Sequence, residues 1–216
     1  MQDDLENVGR KWGFWYWLLT CTLLVASACA HSAPKTLLVL GDSLSAEYGL
    51  ARGSGWVALL EKRIKQEKLD IVIVNASISG ETTSGGKARL PALLNQHRPD
   101  AVVIELGGND GLRGLPVKAA MTNLHDMVKS SQAAKAKVLL VGMQIPPNYG
   151  QDYARQFARM YGTIAKEANI ALVPFLLEGV AENPELFQAD RIHPQAEAQP
   201  IMLNNIWPHL KPLIAK

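Results

Sequence analysis

An α/β protein built on a parallel sheet is the fold this sequence predicts, and three observations predict it. Short apolar runs alternate with longer amphipathic segments from residue 36 onwards. The runs are apolar on both faces, as strands are in parallel sheets covered by helices on either side. No internal repeat, low-complexity tract or domain-sized linker interrupts the alternation. The expectation is a three-layer α/β/α sandwich, flavodoxin-like in outline, with about five parallel strands.

In chain order, TLLVLG at 36–41 is the first strand and GWVALLEKRIKQEK, roughly 55–68, the first helix. IVIVNA at 71–76 is the second strand, and a segment around 82–97 is helical in its later part. AVVIEL at 101–106 is the third strand, with a helix over 117–134. KVLLVGM at 137–143 and a helix over 151–168 follow, then IALVPF at 170–175 and a last helix over 195–212. The densest charge run, EKRIKQEK at 61–68, alternates in sign and reads as the solvated face of its helix.

Of the 216 residues, 48% are hydrophobic and 19% charged, a composition that suits a single domain with a substantial core. The formal charge is +2 and no basic stripe stands out, so nucleic acid is not an expected partner.

The first thirty residues differ from the rest. Arg10 and Lys11 precede the apolar run WGFWYWLLTCTLLVASA at 12–28, which ends in Ala28-Cys29-Ala30. A basic flank, an apolar core and small residues at the end are the parts of a secretory signal peptide. The expected division is therefore a leader over 1–30, cleaved after Ala30, and one domain over 31–216, working in the periplasm or outside the cell. The alternatives are an uncleaved anchor, for which the run is slightly short, and lipidation at Cys29, where Ala26 is a weak residue three places before. Asp3, Asp4 and Glu6 do not suit a leader, and a start nearer Val8 would remove them. Both cysteines, Cys21 and Cys29, lie in the leader. A mature chain would have neither a cysteine nucleophile nor a thiolate metal site.

Open parallel sheets bind ligands at the carboxyl ends of their strands. After the first strand comes Gly41-Asp42-Ser43-Leu44-Ser45, which puts a serine and its backbone N–H where strand turns to helix. After the second, Gly80 in NASISGETT lets backbone approach a ligand and leaves an N–H to donate. After the third, Gly107-Gly108-Asn109-Asp110-Gly111 presents the Asn109 amide, a neutral donor suited to an oxyanion. Asp110 suits a structural role in that loop. After the fifth, Asp190-Arg191-Ile192-His193-Pro194 offers a base with a carboxylate three residues away to orient it. Each segment alone has a bland reading: a turn, an N-cap, an Asx turn or a structural histidine. Together they place a nucleophile, two further donors, a base and its orienter on one rim of one sheet.

The four segments resemble the four sequence blocks of the SGNH (GDSL) hydrolase superfamily, with Ser43, Gly80, Asn109 and His193 as its four letters and Asp190 as the acid of the triad. GDSLSAEYGL, NASISGETTSGGKARLPALL, IELGGNDGLRGLP, QIPPNYG, VPFLLEGV and DRIHP are similar to the bacterial acyl-CoA thioesterase I, lysophospholipase and arylesterase family. The resemblance runs from residue 37 to about 200. It implies Ser43, Asp190 and His193 as catalytic residues, and an oxyanion hole from the N–H groups of Ser43 and Gly80 with the Asn109 amide. Substrate contacts are implied at Asp42, Leu44, Leu112 and Pro146, in an apolar acyl pocket made by loops such as 112–116 and 145–149. Glu47 stands where that family usually has a small residue, and Arg191 where it usually has glycine.

The expected reaction is two-step acyl transfer from a small-molecule ester or thioester, a lysophospholipid among the candidates, by a monomer needing no cofactor and no metal. Export favours esters over CoA thioesters. Two other readings keep the fold: a carbohydrate O-deacetylase, and a non-catalytic periplasmic binding module.

Overall fold

The computed structural model describes residues 33–215. The expected leader lies outside the described residues, as does the Ala30 cleavage point. Five strands form one wholly parallel sheet: β1 (Lys35–Gly41), β2 (Ile71–Asn75), β3 (Ala101–Glu105), β4 (Lys137–Val141) and β5 (Ala171–Val173), in the order β2-β1-β3-β4-β5. That is the flavodoxin-like order, with its topological switch point between β1 and β3.

Among the described residues six helices cover the sheet: α1 (Trp56–Gln66), α2 (Thr83–His97), α3 (Gly108–Leu112), α4 (Val117–Ala133), α5 (Gln151–Ala168) and α6 (Gln199–Ile214). On one side α4 packs between α2 and α5, while α1 pairs with α6 on the other. The helices form because one stripe of each is apolar. Trp56, Val57, Leu60 and Ile64 give α1 its buried face, and Phe157, Met160, Tyr161, Ile164 and Ala165 give α5 its own. The charge run of α1 is solvated, with Lys65–Glu61 and Arg63–Glu67 as pairs one turn apart. Leu37–Leu40 of β1 and Val102–Ile104 of β3 are fully buried, and the core is centred on these two strands.

The expected elements are all present, with ends shifted by a few residues. Two details differ. The glycine-rich segment after β3 is the short helix α3, entered through Gly107 at φ 115°. A side chain at Gly107 would collide with the Tyr161 hydroxyl. The last helix begins at Gln199 after a 3-10 turn at Ala196–Ala198, with Pro200 in its first turn, where a missing N–H costs no hydrogen bond. Among the described residues no helix is long and apolar enough to cross a membrane, and no group of acidic, histidine and cysteine side chains is disposed to hold a metal ion.

Candidate active site

The ends of β1 and β3 lie side by side, with Gly41 in register with Glu105. Beyond Gly41 the chain turns tightly, Ser45 N–H and Ala46 N–H both returning to the Asp42 carbonyl. The turn places Ser43 just above the sheet, with 9% of its surface exposed. Its hydroxyl lies 2.9 Å from His193 Nε2, a contact spanning 150 residues of sequence. His193 Nδ1 lies 2.6 Å from Asp190 Oδ2. The other oxygen of Asp190 accepts the backbone N–H groups of Ile192 (2.9 Å) and His193 (3.0 Å). The backbone bond from His193 leads the causes that hold the Asp190 carboxyl at about 2, below its ordinary 3.8. Asp190 is therefore ionised at neutral pH, and it accepts the Nδ1 proton and leaves Nε2 to face Ser43. The Tyr48 ring lies against the imidazole, centroid to centroid 4.3 Å.

Three donor groups belong to the loops that follow β1, β2 and β3. The backbone N–H groups of Ser43 and Gly80 make no hydrogen bond among the described residues. Gly80 sits at φ 78°, and Arg113 Nη2 donates to its carbonyl at 2.9 Å, fixing the peptide. The Asn109 amide donates one hydrogen to Asp42 Oδ2 at 3.0 Å and keeps the second free. Asp110 binds Thr83 instead, accepting its N–H (2.8 Å) and hydroxyl (2.6 Å), which ties α3 to the start of α2.

Two buried carboxyl groups underlie the nucleophile. Asp42 Oδ1 accepts Leu44 N–H at 3.0 Å while Oδ2 holds Asn109. Desolvation by burial raises Asp42 from 3.8 to about 6, against the pull of those two donors. Below it, Glu105 Oε2 accepts the Ser45 hydroxyl at 2.8 Å and Asp42 N–H at 3.3 Å. Glu105 Oε1 is buried without a partner among the described residues. Burial, then the neighbouring Asp42 carboxylate, push Glu105 well above the usual carboxyl range. Its carboxyl group buttresses the turn from below. Trp56 Nε1 donates to Ser45 Oγ at 3.2 Å, and Gly41 is required here because a Cβ would sit 2.7 Å from Ser45 Oγ.

Ser43, His193 and Asn109 open onto a cavity of about 650 Å³. Leu44, Leu112 and Pro146 line it, as does Asp42, although both Asp42 oxygens are engaged by protein donors. Gly80 is not on its wall. The segment after β5, part of the resemblance but not of the expected pocket, supplies Phe175, Leu177, Pro184 and Phe187 to the apolar wall. The apolar run IALVPF pointed to a strand, and only three of its residues, Ala171–Val173, are one. The remainder turns outward to the site.

The chain matches the GDSL-like Lipase/Acylhydrolase family over residues 39–200. It belongs to that family. It is 53% identical to Esterase TesA of Pseudomonas aeruginosa over 91% of this chain and 98% of the relative. It is 42% identical to Thioesterase 1/protease 1/lysophospholipase L1 of Escherichia coli K12, over 92% and 94%. Among solved structures it superposes on a psychrotrophic esterase, EstA, from a Pseudoalteromonas species, inhibited by monoethylphosphonate. The TM-score is 0.80 and the identity 46%, over 84% of this chain and all of that one. The chain is a hydrolase acting on ester bonds.

Proposed function

We propose that this hydrolase works by a serine mechanism with an acyl-enzyme intermediate, and that the 2.9 Å contact between His193 Nε2 and Ser43 Oγ is its working centre. His193 takes the Ser43 proton as Oγ attacks the ester carbonyl, and Asp190 stabilises the resulting imidazolium. The N–H groups of Ser43 and Gly80 and the free Asn109 hydrogen receive the oxyanion. His193 then protonates the departing alcohol, and later takes a proton from the water that attacks the acyl-enzyme. No step calls on a metal or organic cofactor. The apolar wall of the cavity, including Leu112, Ile145 and Pro146, accepts the acyl chain. Esters, lysophospholipids included, are the biological substrates, with thioester cleavage as a capability. The chain is a monomer and acts beyond the cytoplasmic membrane, after removal of the leader at Ala30.

The phosphonate inhibitor carried by the Pseudoalteromonas esterase supports the serine reading, since such reagents phosphonylate an activated serine. The experiment is hydrolysis of p-nitrophenyl esters from acetate to palmitate by the wild type and Ser43→Ala, with phosphonate labelling followed by mass spectrometry. Activity and labelling at Ser43 in the wild type, with neither in the variant, is the expected result. Full activity in Ser43→Ala overturns the mechanism.

A further inference from the structure

Among the described residues, six other than glycine adopt positive φ. Lys68, Arg98, Lys135 and Asn169 do so just beyond the ends of α1, α2, α4 and α5, where a left-handed residue closes a helix. The other two, Glu47 (φ 59°) and Arg191 (φ 58°), stand in the loops that carry the nucleophile and the base. Such backbone is unfavourable for a side chain with a Cβ, and its persistence at a site asks what the side chain does there. Glu47 has a plain answer. Its carboxylate accepts the N–H groups of Gly53 and Gly55 and closes the 47–55 loop.

Arg191 has no such answer among the described residues. Its positive φ lets the chain fold back so that Ile192 and His193 N–H reach Asp190. A glycine would do this without strain. The Arg191 guanidinium makes no hydrogen bond or ion pair among the described residues, with Asp190 or with Glu182, the exposed acid on the same wall. Among the described residues it is the one lysine or arginine lining the cavity.

Its position fixes which part of a substrate it meets. On the serine reading, His193 Nε2 protonates the leaving oxygen, so the leaving group lies against the 190–193 loop while the acyl chain runs to the apolar wall. Arg191 is two residues from that proton donor. Exposed Ile192 and the Tyr48 ring beside His193 supply apolar surface around it.

We propose that Arg191 is an anion-binding residue of the leaving-group site, and that this enzyme selects esters whose alcohol or phenol part carries a phosphate or carboxylate close to the scissile bond. A guanidinium suits both anions, since its planar fork pairs with either in two-pronged fashion. The proposal rests on the serine reading for the direction of the leaving group.

Two matched substrate pairs test it. One is a medium-chain monoacylglycerol and the same molecule phosphorylated on its free terminal hydroxyl, both below the concentration at which they form micelles. The other is a phenyl ester and its carboxyphenyl counterpart with the same acyl group. The quantity is the ratio of kcat/KM, anionic over neutral, in the wild type, Arg191→Gln, Arg191→Gly and Arg191→Lys. The expected fall in that ratio for the Gln and Gly variants is about fivefold, carried mainly by KM, with Lys intermediate. In the wild type the ratio should also fall as salt rises from ~0.01 M to ~1 M, because the Debye length shrinks from about 30 to about 3 Å. A fall in the lipid pair alone identifies a headgroup phosphate, and in the aryl pair alone a carboxylate. An unchanged ratio in both pairs overturns the proposal. Ser43→Ala separates the two readings: if it still hydrolyses the neutral esters, the serine mechanism fails, whatever Arg191 does.

Discussion

Two loops meet at the contact between Ser43 and His193, and they are held in different ways. Residues 42–45 hang from groups on three other elements: Glu105 on β3, Trp56 on α1 and Asn109 on α3. Residues 188–194 are held by bonds that begin and end within the loop. Asp190 gathers three donors from Ile192 and His193, Gln188 N–H reaches the His193 carbonyl, and Gln188 Nε2 the Pro194 carbonyl. A single further bond from Gln188 Nε2, to the Tyr48 carbonyl at 2.9 Å, ties the second loop to the chain after the first. The nucleophile is positioned by the core, and the base by its own loop. Changes on the first side should therefore disturb folding and catalysis together, and changes on the second mainly catalysis.

The largest effect falls on both sides alike. Ser43→Ala and His193→Ala should each lower kcat by roughly 10⁴–10⁶, and the double variant should be no worse than either single one, since the two act as a unit. Steady-state kinetics checks this, and melting should show His193→Ala folded like the wild type. Next, Asn109→Ala should lower kcat by about 10²–10³ with KM little changed, because its donor is needed only as the oxyanion forms. An effect confined to KM would mean that Asn109 binds the ground state.

Glu105 sharpens the contrast. Glu105→Ala strips the acceptor from Asp42 N–H and the Ser45 hydroxyl and leaves a void, and should cost about 2–4 kcal/mol in urea unfolding. Glu105→Gln keeps the shape and the acceptor, and should cost only about 1 kcal/mol if the native side chain is uncharged. A loss with Gln as large as with Ala would place a charge at Glu105.

On the other side, Asp190 predicts a pH dependence. Its carboxyl is lowered from 3.8 to about 2 in the folded protein, so its contribution to stability is complete above about pH 4 and fades as pH falls towards 2. The stability gap between wild type and Asp190→Asn should shrink over that window. A gap that stays constant would mean that the Asp190 bonds do not depend on its charge. Being a surface group, it should shift the unfolding midpoint only modestly.

The smallest effects are the most discriminating. Arg191→Gly relieves a left-handed residue without breaking a protein contact, and should raise stability by ~1 kcal/mol or less. Glu47→Gly relieves the same strain but removes the acceptor of Gly53 and Gly55, and should lower stability by about 1 kcal/mol. Thermal unfolding of the two variants should move in opposite directions.

The same division governs how much the sequence reveals. The strands and helices are legible because each is announced by its own periodicity. Asp190 and His193 are legible because acid and base share one short segment. Glu105 is not, since within AVVIE it is a polar residue ending an apolar run, and its role comes from the parallel register that sets it beside Gly41. The cavity wall at 175–187 is hidden for a similar reason, as it depends on where an irregular segment lies after β5 ends. The resemblance implies Asp42 as a substrate contact. Only the fold shows its carboxylate held by Asn109. The positive φ at Glu47 and Arg191 is a property of turns that these side chains do not signal.

The 150 residues between Ser43 and His193 also set a schedule. A chain made from its N-terminus has its serine early, together with Glu105 and Asn109. The base and its carboxylate come late, ahead of the segment bearing α6, whose Gln199 accepts Trp56 N–H and donates to the Gln195 carbonyl. On the serine mechanism, the growing polypeptide stays a latent enzyme until the 190–193 loop has been made and has reached Ser43.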